Sequence, residues 1–187
     1  MFEKLLKNIA SVLFKKDIPY MIIGGQAVLL YGEPRLTRDI DVTLGVGVEK
    51  LPIVLDAVKV LNLKVLPSDP QDFVKRSWVL PVMDGKTKIR IDFIFSYTVY
   101  EQQAIKRGKD VRIDRRKVRF ASVEDVIIHK IFAGRPRDID DVKSIIIKNR
   151  DINKKYIRSW LKEFESASSE KGANLLKFFN ECLKDLA

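Results

Sequence analysis

The sequence predicts an α/β fold (α+β) in which a small mixed β-sheet is followed by a helical C-terminal part. Three observations predict it. Residues 2–16 carry apolar side chains at helical spacing, several later segments alternate apolar and polar residues like β-strands, and the chain from Ser122 onward is helical in pattern throughout. With 46% apolar residues, the 187-residue chain has ample material for a core. We expect a core domain over residues 1–120 and a helical region over residues 121–187 packed on it.

Helices and strands are expected to alternate along the first part of the chain. The helix over residues 2–16 ends at Asp17-Ile18-Pro19, and the apolar run Tyr20–Ile23 predicts a strand that stops at the pair Gly24-Gly25. A short apolar helix over Gln26–Tyr31 and a strand that contains Asp39–Leu44 follow. Further elements are predicted as a helix over Glu49–Leu61, a strand over Leu63–Leu66, a hairpin of Trp78–Val82 and Lys88–Phe95 around Asp84-Gly85, a helix over Tyr97–Lys106, and a hairpin of Val111–Ile113 and Val118–Phe120.

The last third of the sequence predicts helices only. Ser122 is the expected N-cap of the first, because its hydroxyl can accept a hydrogen bond from a free backbone N–H group of the first turn. The predicted helices cover Val123–Phe132, Arg137–Lys148, Asn153–Phe164 and Gly172–Leu186, with a loop over residues 166–169.

Charge and cysteine content restrict the function classes. The net charge is +10, and residues 99–120 hold eight Lys or Arg against three acids, a net +5. All eight lie within residues 106–119, called the basic segment below. The basic segment would attract RNA or DNA, although a solvated hairpin rim explains the same charges. No run of about eighteen apolar residues is present, so we expect no membrane span. The single cysteine, Cys182, excludes an internal disulfide and fits the reducing cytoplasm.

The string Asp39-Ile40-Asp41-Val42 carries the first functional signal. Its period of two places both aspartates on one face of a strand, with the apolar residues on the other. Two adjacent carboxylates resist joint ionisation unless a cation lies between them. Mg²⁺ suits such a site because it prefers oxygen ligands and leaves room for substrate phosphates.

The pair Gly24-Gly25 carries the second signal. Glycine permits a sharp turn from strand to helix and lets a ligand approach the backbone. The free N–H groups at the start of the next helix then form an anion site. A phosphate site close in sequence to paired carboxylates points to phosphoryl or nucleotidyl transfer.

These residues together resemble the DNA polymerase β-type nucleotidyltransferase superfamily. Ile23-Gly24-Gly25 matches the first half of its signature, and thirteen residues separate it from Asp39-Ile40-Asp41-Val42. The resemblance implies a third carboxylate on a later strand, and Asp92 within Ile89–Phe95 fits that position. It therefore implies a catalytic, two-metal Mg²⁺ site of Asp39, Asp41 and Asp92, with NTP as substrate.

A narrower resemblance is to the abortive-infection-type (toxin) branch of the superfamily. Its pattern Pro-Arg-x-Thr-x-Asp is matched at residues 34–39, which implies nucleotide contacts from Arg35 and Thr37, and an antitoxin protein as partner. The later Lys and Arg-Asp-x-x-Asp pattern is matched at residues 130–141. The resemblance implies that Lys130 contacts the triphosphate and that the supporting residues are Arg137, Asp138 and Asp141. A helix N-terminus enriched in acids by its dipole would also explain Asp138.

We therefore expect a nucleotidyltransferase core that moves a nucleoside monophosphate from an NTP to an acceptor hydroxyl and releases pyrophosphate. RNA or tRNA is one expected acceptor, contacted through the basic segment. Two alternatives remain open at this stage. One is transfer to a small molecule of the aminoglycoside kind. The other is a non-catalytic nucleic-acid-binding module on a nucleotidyltransferase fold.

Overall fold

The computed structural model describes residues 1–96, 98–167 and 174–184. Its α-helices are α1 (Phe2–Lys15), α2 (Gly24–Tyr31), α3 (Leu51–Val60), α4 (Pro70–Ser77), α5 (Val99–Arg107), α6 (Val123–Ala133), α7 (Pro136–Lys148), α8 (Lys154–Ala167) and α9 (Leu175–Lys184). Its strands are β1 (Tyr20–Ile23), β2 (Asp39–Leu44), β3 (Leu63–Val65), β4 (Val79–Asp84), β5 (Arg90–Phe95), β6 (Lys109–Ile113) and β7 (Arg116–Phe120). No helix within these residues is long and apolar enough to cross a membrane.

The strands form one sheet in the order β3-β4-β5-β2-β1-β7-β6. The pairs β2/β5 and β1/β7 are parallel, and the other neighbours are antiparallel. The sheet is therefore mixed, and the predicted α/β class is confirmed. The chain between the parallel strands β2 and β5 contains helices α3 and α4. Parallel neighbours require a long connection of this kind, because the chain must return to the same end of the sheet.

The residues cluster into two compact units. The first consists of Met1–Gln26 and Thr37–Ala121, and the second of Ala27–Leu36 and the described residues of Ser122–Ala187. The first unit holds the whole sheet. Ile22, Ile40, Val42, Ile91 and Phe93 are fully buried in it. The last four alternate with Asp or Arg along β2 and β5, whereas all four residues of β1 are buried.

The second unit packs helices around a separate apolar core. Val28 of α2, Ile128 of α6, Ile145 of α7 and Ile157 of α8 are all fully buried. Ser122 caps α6, since its hydroxyl accepts a hydrogen bond from the N–H of Asp125, as its sequence position predicts.

Several predicted boundaries are corrected. Helix α4 was not predicted, and α2 begins at Gly24 rather than Gln26. Helix α8 extends through Ala167, where a loop was predicted from residue 166. The rest of that loop, residues 168 and 169, lies outside the described residues. So do residue 97 of the predicted helix over Tyr97–Lys106 and residues 172, 173, 185 and 186 of the last predicted helix.

Candidate active site

Three aspartates lie together on one face of the sheet. Asp39 and Asp41 are two residues apart on β2, and Asp41 is the direct partner of Asp92 on the parallel strand β5. Neighbouring strands are about 4.8 Å apart, and paired residues project from the same face. Ile40 and Val42 point the other way and are fully buried. The structure therefore brings the three predicted carboxylates together, and the register between β2 and β5 is the cause.

Arg90 lies among these aspartates. It is the partner of Asp39 across the strands, and its Nε donates a hydrogen bond to Asp92 Oδ1 at 2.8 Å. The hydrogen bond to Asp92 raises the pKa of Arg90, and the charges of Asp92, Asp39 and Asp41 raise it further against the opposing effect of burial. Arg90 was not among the site residues predicted from the sequence. The sequence does contain the pattern that indicates it, because Arg90 precedes Asp92 by two residues on a strand and therefore shares its face.

Thr37 holds the first carboxylate. Its side-chain hydroxyl donates a hydrogen bond to Asp39 Oδ1 at 3.0 Å, and the residue is buried. Thr37 was predicted as a nucleotide contact. The structure shows it in a positioning role toward Asp39, a contact that a sequence separation of two does not reveal.

The glycine pair makes room for the side chains of this site. Gly24 has a φ of +62°, and a Cβ built there would lie 1.8 Å from Asp41 Oδ2. A Cβ on Gly25 would lie 2.3 Å from the hydroxyl oxygen of Thr37. Both glycines are therefore required by close approach to the site. Whether their N–H groups also bind phosphate stays a prediction.

The donor set fits Mg²⁺ in type, since all three side chains offer carboxylate oxygens on one sheet face. As these side chains stand, however, no group of three or more His, Cys, Asp or Glu residues in the described chain could hold a metal ion. Asp92 is instead bonded to Arg90. The ligand types and the strand register fit the metal, provided that Asp92 is freed from the arginine.

A second charged cluster lies within the helical unit. Lys130 of α6 is buried, and its Nζ lies 2.7 Å from Asp138 Oδ1 and 2.9 Å from Asp141 Oδ2. Arg35 forms a two-pronged ion pair with Asp141, through distances of 2.6 and 2.8 Å. Arg135 binds Asp138 through its Nε at 2.5 Å. Two carboxylates are thus shared among three cations, an arrangement that accounts for the burial of Lys130, Asp138 and Asp141.

The electrostatics of this cluster follow from its pairing. Burial alone would raise the pKa of Asp141, but hydrogen bonds from Arg35 and Lys130 and their charges outweigh it, and the pKa is lowered. The pKa of Asp138 is lowered in the same way, with Arg135 and Lys130 overcoming the effect of burial. Arg137, predicted as a supporting residue, donates instead to the backbone oxygen of Leu36 at 3.1 Å. Arg135 was missed, although its partner Asp138 lies three residues later in the first turn of α7.

The basic segment forms one side of a groove within the sheet unit. The groove has a volume of about 680 Å³ and is lined by the end of α1, Pro19, Tyr20 and the β6/β7 hairpin. Its basic lining residues are Lys15, Arg115, Arg116, Lys117 and Arg119. Tyr20 pairs with Leu44 at the far end of β2 from Asp39. The groove and the carboxylates therefore lie at opposite ends of these strands.

Solved structures of similar fold are nucleotidyltransferases. The antibiotic-resistance factor ANT(2'')-Ia in solution has a TM-score of 0.61 and 19% identity, covering 88% of this chain and 91% of its own. The same factor with adenylyl-2''-tobramycin has a TM-score of 0.54 and 18% identity, covering 99% and 98%. The lincosamide adenylyltransferase LnuA, bound to lincomycin, has a TM-score of 0.53 and 16% identity, covering 76% and 94%. At these identities the likeness shows the fold.

The fold, the aspartate-bearing strands and a family model that matches residues 1–185 together make the chain a nucleotidyltransferase by class. The chain belongs to the family described as nucleotidyltransferase of unknown function (DUF6036), whose model matches residues 1–185. No curated protein matches the sequence at a significant level.

Proposed function

We propose that the protein is an Mg²⁺-dependent enzyme that transfers a nucleoside monophosphate from an NTP to an acceptor hydroxyl. The single observation that carries this proposal is the register of Asp41 with Asp92, which aligns three carboxylates on one sheet face beside the turn at Gly24. Carboxylate oxygens that converge on one face are the ligands that Mg²⁺ prefers, and such an ion leaves room for substrate phosphates.

Each residue has a role in this proposal. Asp39, Asp41 and Asp92 would hold two Mg²⁺ ions, which when bound neutralise the triphosphate charge and lower the pKa of the acceptor hydroxyl. Thr37 orients Asp39, and Gly24 leaves space for Asp41. The acceptor oxygen bonds to the α-phosphorus while the bond to the β-phosphate oxygen breaks, and pyrophosphate leaves.

Contacts with the nucleotide phosphates are proposed on the resemblance alone. They fall on the backbone N–H groups of Gly24 and Gly25 and on Arg35, Thr37 and Lys130. The ion pairs of Lys130 with Asp138 and Asp141 explain its position without a nucleotide. The nucleotide role of Lys130 therefore needs a kinetic test, in which Lys130→Arg raises the KM for NTP while kcat changes less.

RNA, including tRNA, is the acceptor that the basic segment favours. Its exposed arginines and lysines line a groove within the sheet unit, and a phosphate backbone would neutralise them. The small-molecule alternative is supported by the fold neighbours, since ANT(2'')-Ia was solved with adenylyl-2''-tobramycin and LnuA with lincomycin. The proposal also includes membership of the toxin branch and an antitoxin partner, which the pattern at residues 34–39 supports. It includes a cytoplasmic location as well, which the single cysteine supports.

Label transfer tests the proposal directly. The protein is incubated with each α-³²P-labelled NTP, Mg²⁺, and either bulk RNA or an aminoglycoside mixture. We expect label in one acceptor pool, its loss in Asp41→Asn, and no change in Asp56→Asn, a control on an exposed helix position. Transfer that is equal in Asp41→Asn and wild type would contradict the assignment. No transfer, combined with salt-sensitive RNA binding that Asp41→Asn leaves intact, would establish the non-catalytic alternative.

Growth of an expression host tests the toxin part of the proposal. Induction of the wild-type chain is expected to arrest growth, and induction of Asp41→Asn at the same protein level is not. Equal growth of both cultures would remove the toxin assignment and leave the enzymatic one to the label-transfer result.

A further inference from the structure

Arg90 lies on the sheet face that carries the three aspartates. It faces Asp39 across the strands and binds Asp92 at 2.8 Å. Its side chain is 52% exposed, whereas that of Asp92 is 18% exposed. The arginine side chain is thus more exposed to solvent than the carboxylate that it binds.

The position of Arg90 conflicts with metal binding. Arginine cannot lose its proton in a protein, so the charge of its guanidinium is permanent. A divalent cation on Asp92 would lie next to that charge and be repelled by it. Consistently, no three carboxylates of the described residues are arranged to hold a metal while Arg90 is bonded to Asp92.

Arg90 also has space to move into. It lines a pocket of about 520 Å³, within the sheet unit, together with Leu66, Phe73, Arg76 and Pro81. Pro81 is the strand partner of Asp92, so the pocket begins one strand outward from the carboxylate. A rotation of the arginine side chain toward this pocket would free Asp92 without any movement of the sheet.

The geometry points to Arg90 as a resident counter-ion that neutralises the aspartates when the metal is absent and must release Asp92 before Mg²⁺ is held. This inference rests on the metal site of the proposed function. It makes metal binding an exchange of one cation for another. Arg90 thereby stabilises the carboxylates when no metal is bound. It also weakens the metal affinity, because the ion must break the charged hydrogen bond between Arg90 and Asp92.

Metal affinity measured without nucleotide tests the inference apart from catalysis. Mn²⁺ binding is followed by electron paramagnetic resonance, and Mg²⁺ binding by calorimetry, for wild type, Arg90→Ala, Arg90→Lys and Arg76→Ala. Arg76 is the matched control, because it forms an exposed ion pair with Asp72 and lines the same pocket. We expect Arg90→Ala to bind either ion roughly three- to fivefold more tightly than wild type, since an exposed pair of this kind is worth up to about a factor of five. Arg90→Lys should stay within about twofold of wild type, and Arg76→Ala should not change.

Thermal unfolding gives the second readout. Without metal, Arg90→Ala is expected to melt below wild type, because the three carboxylates repel one another. Saturating Mg²⁺ should raise its Tm more than it raises that of wild type. The effect of Arg90→Ala on affinity should vanish in an Asp92→Asn background, which removes the exchange partner.

The outcomes separate the inference from the proposed function. Unchanged or weaker metal affinity in Arg90→Ala, or no metal binding by either protein at millimolar concentration, overturns the counter-ion role. Tighter binding by Arg90→Ala in a protein that transfers no nucleotide would uphold the counter-ion role and overturn the proposed activity.

Discussion

Replacement of Gly24 by alanine is the sharpest test of how the glycine turn serves the aspartates. The φ of +62° disfavours any residue with a Cβ by roughly 1–2 kcal/mol. The new methyl group would also lie 1.8 Å from Asp41 Oδ2 and force that side chain away from its rotamer, at a cost of about 0.5–1.5 kcal/mol. Together we expect a loss of roughly 2–3 kcal/mol and a fall in Tm of roughly 4–12 °C.

The activity should fall further than the stability suggests. Asp41 must move by an ångström or more to clear the methyl group, and a misplacement of that size costs a catalytic group about 100-fold in rate. The measurement is nucleotide transfer at a temperature well below the Tm of the variant, with circular dichroism to establish that it is folded.

Two other glycines provide matched controls for Gly24→Ala. Gly134 has the same φ of +62°, but the nearest atom to its Cβ position is 3.6 Å away, so Gly134→Ala isolates the backbone cost. Gly85 has no atom within 4 Å of its Cβ position, so Gly85→Ala should change stability by less than about 0.5 kcal/mol. Both controls should keep full activity. A Gly24→Ala protein with the Tm of Gly134→Ala and with activity within threefold of wild type would refute the steric reasoning.

Three further predictions concern the hydrogen bonds and ion pairs. Thr37→Val removes the donor to Asp39 and should lower kcat about three- to tenfold, a loss of roughly 1 kcal/mol; an unchanged kcat in steady-state assays would contradict the positioning role. Lys130→Met leaves two buried carboxylates without their shared partner, and urea unfolding should show a loss of roughly 3–5 kcal/mol. The pKa of Asp141 is lowered in the folded state. The ionised Asp141 therefore contributes its full stabilisation above about pH 3.9, the pKa of Asp in an unfolded chain, and this stabilisation is lost as the pH falls through the lower pKa of the folded state. Asp141→Asn should therefore flatten the dependence of Tm on pH below pH 4, and a slope equal to that of wild type would show that the acid loss arises elsewhere.

The sequence was sufficient for features that depend on local pattern. The alternation of Asp39-Ile40-Asp41-Val42 predicted a strand with both aspartates on one face, and β2 has that form. The apolar spacing of residues 2–16 likewise predicted α1 to within one residue. In both cases burial of one face decides the conformation, and that preference is written in consecutive residues.

Helix α4 shows a local signal that was overlooked. The sequence pattern predicted no helix between the strand over Leu63–Leu66 and the hairpin that begins at Trp78. Pro70 is in fact at the first turn of α4, where its missing N–H group is harmless, and Asp69 caps the helix by accepting a hydrogen bond from the N–H of Asp72. Aspartate at the N-cap followed by proline at the first helical position is a pattern typical of a helix start, and it would have predicted α4.

The remaining misses depend on contacts between distant residues. The pairing of Arg90 with Asp39 depends on the register of β5 against β2, which no single segment encodes, whereas its bond to Asp92 lies within β5. Arg35 reaches Asp141 across more than a hundred residues of chain, so its partner could not be read from its own neighbourhood. Side-chain partners are fixed by packing of the whole unit, whereas sequence patterns report the face on which a residue lies.

The segment Ala27–Leu36 has a consequence for dissecting the protein. It belongs with the C-terminal helices, where Asn149 donates to the backbone oxygen of Tyr31 and Lys148 to that of Gly32. A fragment cut after Ala121 would keep this segment but lose Lys148, Asn149 and the other helical residues of its own unit. Such a fragment is therefore expected to aggregate. To produce the sheet unit separately, residues 27–36 should be replaced by a short linker that joins Gln26 to Thr37.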